Sequence, residues 1–210
     1  GTDSDALETN VTNLAASTNG TGDITIADTD AITLSSIETA DGAITVAAVG
    51  TITATLVDSS ATDDGTNNIR LMTISGNITT ETVTAGYTND ITIHSAGDIT
   101  EDEVLSTVIT ADQLDLSAGG SITVDTTVQS LTAVTISVGN IDIDQTGPIT
   151  LTSVTTHNGA VTVDAGGAIV ATSLSTANAD SDANDITLST SSGSIQLGSL
   201  SAGNLGDIQL

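Results

Sequence analysis

The sequence predicts an all-β protein: a single continuous parallel β-helix, or β-solenoid, of about nine coils with ~20–24 residues in each. Three observations point there. The chain repeats itself after 117 positions, one short strand word recurs along it, and its apolar inventory is almost free of aromatics.

The repeat comes first. A shift of 117 places residues 1–93 over residues 118–210 without a gap, and roughly 35 of those 93 positions are identical. Gly-Ala-Ile-Thr-Val at 42–46 falls on Gly-Ala-Val-Thr-Val at 159–163. Residues 1–117 therefore form a first unit and 118–210 a second, incomplete one, within one solenoid. Residues 1–21 read as a degraded or capping coil. There Asp5, Ser17 and Asn19 replace Ile122, Val134 and Ile136 of the second unit.

The word is small-x-Ile-Thr-apolar, as at 22–26, 42–46, 120–124 and 159–163. It is a short period-2 strand with a Gly or Asp to make the turn. Side chains alternate across a strand, so the isoleucines share one side and the threonine takes the other. Stacked coils then bury columns of Ile, Val and Leu, while Thr25, Thr33, Thr45, Thr92, Thr123, Thr150 and Thr162 form outward ladders. Ile24, Ile32, Ile44 and Ile52 are spaced by eight, twelve and eight, and Ile141, Ile149, Val161 and Ile169 repeat that spacing. A third apolar position follows at Ile37, Leu56, Val83, Val104, Val154, Leu174 and Leu200. Three strands per ~20–24 residues is the arithmetic of a solenoid coil, and it divides the unit into about five coils. At ~4.8 Å per coil the rod would be ~40–45 Å long. Extra segments at 58–68 and 175–185 read as loops projecting from one corner. Tandem immunoglobulin-like sandwiches are the alternative fold; recurrence of one word inside each unit speaks against them.

Charge excludes several functions. The net charge is −26, and Arg70 is the one basic side chain apart from two histidines. Nucleic-acid binding needs a basic footprint, and so does attraction to anionic lipid. No run of ~20 apolar residues is present to span a bilayer. No basic segment precedes an apolar stretch at the start, so a signal peptide is absent or already removed. The chain has no cysteine, one methionine and one tyrosine, Tyr87. Its core must be built from thin aliphatic layers.

These words, Thr-rich, Cys-free and spaced by eight and twelve, resemble the filamentous-haemagglutinin-type repeats of large bacterial surface adhesins. The resemblance runs from Gly22 to Leu210. It implies a right-handed parallel β-helix, exported or displayed on a cell surface. The near absence of Lys and Arg departs from that pattern. No binding motif carries over residue by residue.

Candidate chemistry is sparse. Arg70 stands over Thr187, His157 over Ala40, and His94 has no counterpart, so no nucleophile–base arrangement recurs. A calcium site is the better candidate, because hard cations take several oxygen ligands. Asp63, Asp64 and Asn67 lie in the first extra segment, and Asp180, Asp182, Asn184 and Asp185 in the second. Glu101, Asp102 and Glu103 read as a solvated face. Asp23, Asp90, Asp98, Asp185 and Asp207 all precede a strand isoleucine, so stacking would bring like charges together. The reading as a whole is a non-enzymatic structural rod, extracellular or at the cell surface. Its partners would be copies of itself stacked head to tail, or a longer array, and a surface receptor or glycan. The alternative is a calcium-dependent adhesion module.

Overall fold

The computed structural model describes residues 6–102, 108–178 and 181–210. Among them there are nineteen strands and no helix, and every strand pairing is parallel. The strands join one sheet that winds about the axis, each pairing mainly with the strand one coil on. This is a β-solenoid of about nine turns.

A short strand such as Ile24–Asp28 or Ile44–Ala48 supplies the first face of a coil. A longer one, such as Ile32–Asp41, bends after Leu34 and supplies the second and third faces. The best view of the stack is one column on the first face. It starts at Leu7 and passes through Ile26, Val46, Leu71 and Ile93. It continues through Leu116, Ala133, Val154 and Leu174 to Leu200. Ten rungs thus carry an apolar residue at one position, and the eight inner ones are at most 1% exposed. A second column, Ile32, Ile52, Ile78, Ile99, Ile122, Ile141, Val161, Ile186 and Ile208, is β-branched throughout. Such side chains fit a pleated, half-buried surface at little rotamer cost.

The registers correct the coil count of the repeat. Ile24 lies on the first face, yet its counterpart Ile141 stands in the column of Ile32 on the second. Five coils separate Ile32 from Ile141, and the eight residues from Ile24 to Ile32 complete the 117. One unit is therefore five coils plus one face, and the second copy is turned by one face relative to the first. The extra segments consequently leave from different corners. The segment 58–68 joins the third face to the first, because Val57 stacks under Ile37 and Ile69 under Ile44. The segment 175–185 joins the first face to the second. They do not share a corner, as the alignment suggested, because a whole number of coils does not fit the repeat.

Other expectations shift by one position. Val57, fully buried, is the third-face residue, and Leu56 is only half-buried. Val104, Glu103 and Asp5 lie outside the described residues. The outward threonines predicted above are all half-buried, as a ladder on the outer face should be. Thr33, Thr53, Thr79 and Thr100 stack without interruption, and the last two hydroxyls lie 3.3 Å apart. Val134 points outward and Ile136 is 65% exposed. Their replacement by Ser17 and Asn19 thus leaves the core-facing Leu14, Ala16 and Thr18 of the first rung intact, identical to Leu131, Ala133 and Thr135.

The stack sets a stability test. Ile93→Ala, in the middle of the column, should cost about 2–5 kcal/mol. Ile136→Ser, on the outside, should cost about 0.5 kcal/mol or less. Denaturant unfolding reads both, and equal costs would contradict the assignment of faces.

Candidate functional site

The corners are closed by side chains that bond backbone. At the ends of several strands a buried hydroxyl donates to a turn carbonyl: Thr39, closing a third face, to Gly42 at 2.6 Å, and Thr73 and Thr156, closing first faces, to Gly76 at 3.1 Å and Gly159 at 2.6 Å. At the extra segments the same device spans a longer gap, with Ser59 donating to Asn67 and Thr176 to Asn184. Just before the strands, an Asp, Asn or Ser oxygen accepts the amide of the coil above or below. Asp23 accepts from Ala43, Asn77 from Asp98, Asp98 from Ser121, and Asn140 from Ala160, at 2.7–3.0 Å. The acids expected to repel one another here mostly alternate with neutral partners, and Asp23 and Asp98 each accept an N–H of the adjacent coil. Asp185 and Asp207 are the exception, with the Asp207 amide donating to Asp185 at 2.8 Å.

Several predicted calcium ligands belong to this corner system. The Asp63 carboxylate accepts the amides of Tyr87 and Thr88, the Thr88 hydroxyl and the Asn89 amide group. The Thr88 hydroxyl and the Tyr87 amide, above all, hold it below the ordinary carboxylate value. It fits so closely that a Cβ on Gly86, at φ +94°, would meet it at 2.7 Å. Asn67 is buried, donating to the Thr62 carbonyl and the Asp41 carboxylate, and Asn184 is buried against Thr176. Asp64 accepts from Thr66, and Asp182 is exposed. Asp180 lies outside the described residues. The two sets are on different corners and do not come together. Among the described residues no cluster of three or more His, Asp or Glu side chains is arranged to hold a metal ion.

The same holds for the histidines. His94 stacks beside Met72 and shares its column with Ser117, Val134 and Thr155, three rungs on. His157 follows Thr155 by two residues in the same strand, about 14 Å from His94 along the axis. The Arg70 guanidinium rests on the Met72 sulfur at 3.7 Å.

The strongest electrostatic feature lies elsewhere. Asp125, Asp144 and Asp164 are register partners on the outer surface of consecutive rungs, with Asp142 two residues from Asp144. They border a groove of about 430 Å³ that also takes in Gln145 and Ser189. Like charges ~4.8 Å apart repel by about 0.9 kcal/mol per pair in water. Partial desolvation, then Asp125 and Asp164, raises the Asp144 carboxyl above its ordinary 3.8. Desolvation, Asp164 and Asp125 do the same to Asp142. Sequence inspection passed over this ladder although its signal was there: three Asp residues spaced by nineteen and twenty, one coil apart.

Asp28 is the opposite case. It is buried, which raises its value, but the Thr9 hydroxyl and the amides of Asp30 and Val11 outweigh burial and lower it. Gln145, 117 positions on, accepts from Thr126 and Val128 in the same way. One acceptor thus ties each copy's opening coil to the next. Compared with known families, curated proteins and solved structures, the chain finds no match.

Linkage gives these carboxyls opposite pH behaviour. A raised acid binds protons more tightly when folded, so its favourable contribution is complete below 3.8 and lost as pH rises through the folded value. Asp28 contributes above 3.8, and that contribution is lost as pH falls through its lowered value. Asp144→Asn should raise Tm at pH 7, with the gain vanishing by about pH 3. Asp28→Ala should lower Tm at pH 7 by leaving the Thr9 and Val11 donors unpaired. Circular-dichroism melts at both pH values read these effects. A lower Tm for Asp144→Asn at pH 7 would contradict the ladder's sign.

Proposed function

We propose that this chain is a non-enzymatic structural rod, a fibre segment of an extracellular or cell-surface adhesin, filament or sheath. The observation that carries the reading is the unbroken apolar column from Leu7 to Leu200. A continuous column makes a stiff spacer, because each coil packs on its two neighbours and no hinge interrupts the stack. The likeness of the strand words to filamentous-haemagglutinin-type repeats supports the surface setting. So does the charge of −26, which keeps rods apart laterally and soluble.

The alternative is a calcium-dependent adhesion module. What favours it is the exposed Asp64 and Asp182, and the half-buried Asp185, on the corner segments. It requires Tm to rise with millimolar calcium over chelator, whereas the rod reading expects no shift.

Two measurements test the rod. Negative-stain micrographs of the purified chain should show uniform particles ~40–45 Å long, nine intervals of ~4.8 Å. Antibodies against the chain should label intact source cells without permeabilisation. Compact or two-lobed particles, or labelling only after permeabilisation, would overturn the reading.

A further inference from the structure

The charge of −26 is spread unevenly around the rod. From the rung of Ile26 to that of Val154, the outward positions of the first face and of the corner after it carry one of the chain's 27 acids, Asp115. Asp23 and Asp90 stand just ahead of the strands, at the leading corner. The rest is mainly Thr, Ser, Ala and Val, with Met72, both histidines and the chain's one arginine. At the trailing corner Val49, Ile74 and Ile136 are 42%, 70% and 65% exposed.

Neutrality follows direction and not place in the repeat. The second unit is turned by one face, and its counterparts of Ala27 and Ala47 are Asp144 and Asp164 on the second face. The residues that it turns onto the first face are again uncharged, Val134 and Thr155 among them. Two stretches of different sequence thus keep acids off one side of the rod.

The two charges that remain there are placed symmetrically. Arg70 and Asp115 are exposed and occupy one outward column, one rung either side of Thr92. The Arg70 guanidinium touches Met72 and, among the described residues, no carboxylate. A two-fold axis along the Thr92 strand brings the first faces of two molecules together with their rods antiparallel. Arg70 of each then meets Asp115 of the other, across the ~10 Å that separates packed sheets. The same operation sets Ile74 over Gly119 and Val49 over Ile136, one bulky side chain on a bare position and one apolar pair. The face is its own complement, as an isologous contact requires.

We propose that the first face is a lateral interface, at which two copies of this chain pair antiparallel about the Thr92 strand. The inference adds a partner to the rod reading and rests on the straight stack alone. Asp125, Asp144 and Asp164 line the second face, and Glu38 and Asp58 the third, so repulsion keeps rods apart on those sides. The neutral face measures about 29 Å by about 13 Å, roughly half of the ~800 Å² that each partner gives to a standard interface. The pairing is therefore weak and depends on concentration.

Sedimentation equilibrium of the 210-residue chain in ~0.15 M NaCl, where the screening length is ~8 Å, tests the proposal. The expected result is a monomer–dimer equilibrium that rises with concentration and stops at two. Arg70→Asp and Asp115→Arg, both at exposed positions, should each weaken pairing about tenfold or more, because like charges then meet twice. An equimolar mixture of the two variants should recover pairing as a one-to-one heterodimer, since every contact again joins opposite charges. A chain that stays monomeric up to millimolar concentration overturns the proposal. So do single variants that pair as well as the unsubstituted chain, a mixture that stays monomeric, or assembly that continues past two. Pairing doubles the particle's width and leaves its length nearly unchanged, so the ~40–45 Å length of the rod is read separately and stands or falls by itself.

Discussion

Everything in this molecule follows from one contact repeated, the seating of each coil's Ile, Val and Leu side chains on those of the next. Burying one such side chain is worth about 1.5–3 kcal/mol, and each inner rung contributes several. The contact needs residues of similar size at one position, rung after rung, which is why the core does without Phe and Trp. A bulky ring on one rung would have to be matched by a gap on the next. Backbone pairing follows the same geometry, since the parallel ladder is satisfied by the neighbouring coil. Among the described residues it is interrupted at the corners, and there Ser, Thr, Asp and Asn side chains take over. Among the described residues no buried side-chain polar atom is left without a partner.

The mismatch between coil and repeat has consequences for the surface. Because the unit is five coils plus one face, equivalent residues of the two copies look in different directions. Ala27 and Ala47 sit on the first face, and their counterparts Asp144 and Asp164 on the second. The copies thus share inward residues while their outward ones have diverged. A duplication that keeps the inside and changes the outside is the expected outcome when one contact sets stability and solvent-facing positions are free.

Fold class, inward isoleucines and outward threonines were legible because period-2 alternation is a local property. The word spacing of eight and twelve located the coil. Vertical neighbours were less legible, because register depends on coil lengths that the loops vary. Aligning the copies put 58–68 and 175–185 on one corner, and only pairing through Ile122 and Ile141 separates them. Buried hydroxyls such as Thr39 and Thr156 look like outward threonines in sequence, since what distinguishes them is a carbonyl three residues on. Asp63 and Asn67 fit a cation-ligand pattern for the same reason that they fit a corner, as both need convergent oxygens. The Asp125, Asp144 and Asp164 ladder was legible in its spacing of one coil, and the register places its three members on one outer surface.

The continuous parallel stack can be measured directly, and the absence of cysteine makes site-specific labels simple. Thr33 and Thr162 lie on one outer face, six rungs apart. Nitroxides on Thr33→Cys and Thr162→Cys, read by double electron–electron resonance, should give a single narrow distance distribution near ~29 Å. A broad distribution, or one centred beyond ~40 Å, would show two bodies joined by a hinge and contradict the account.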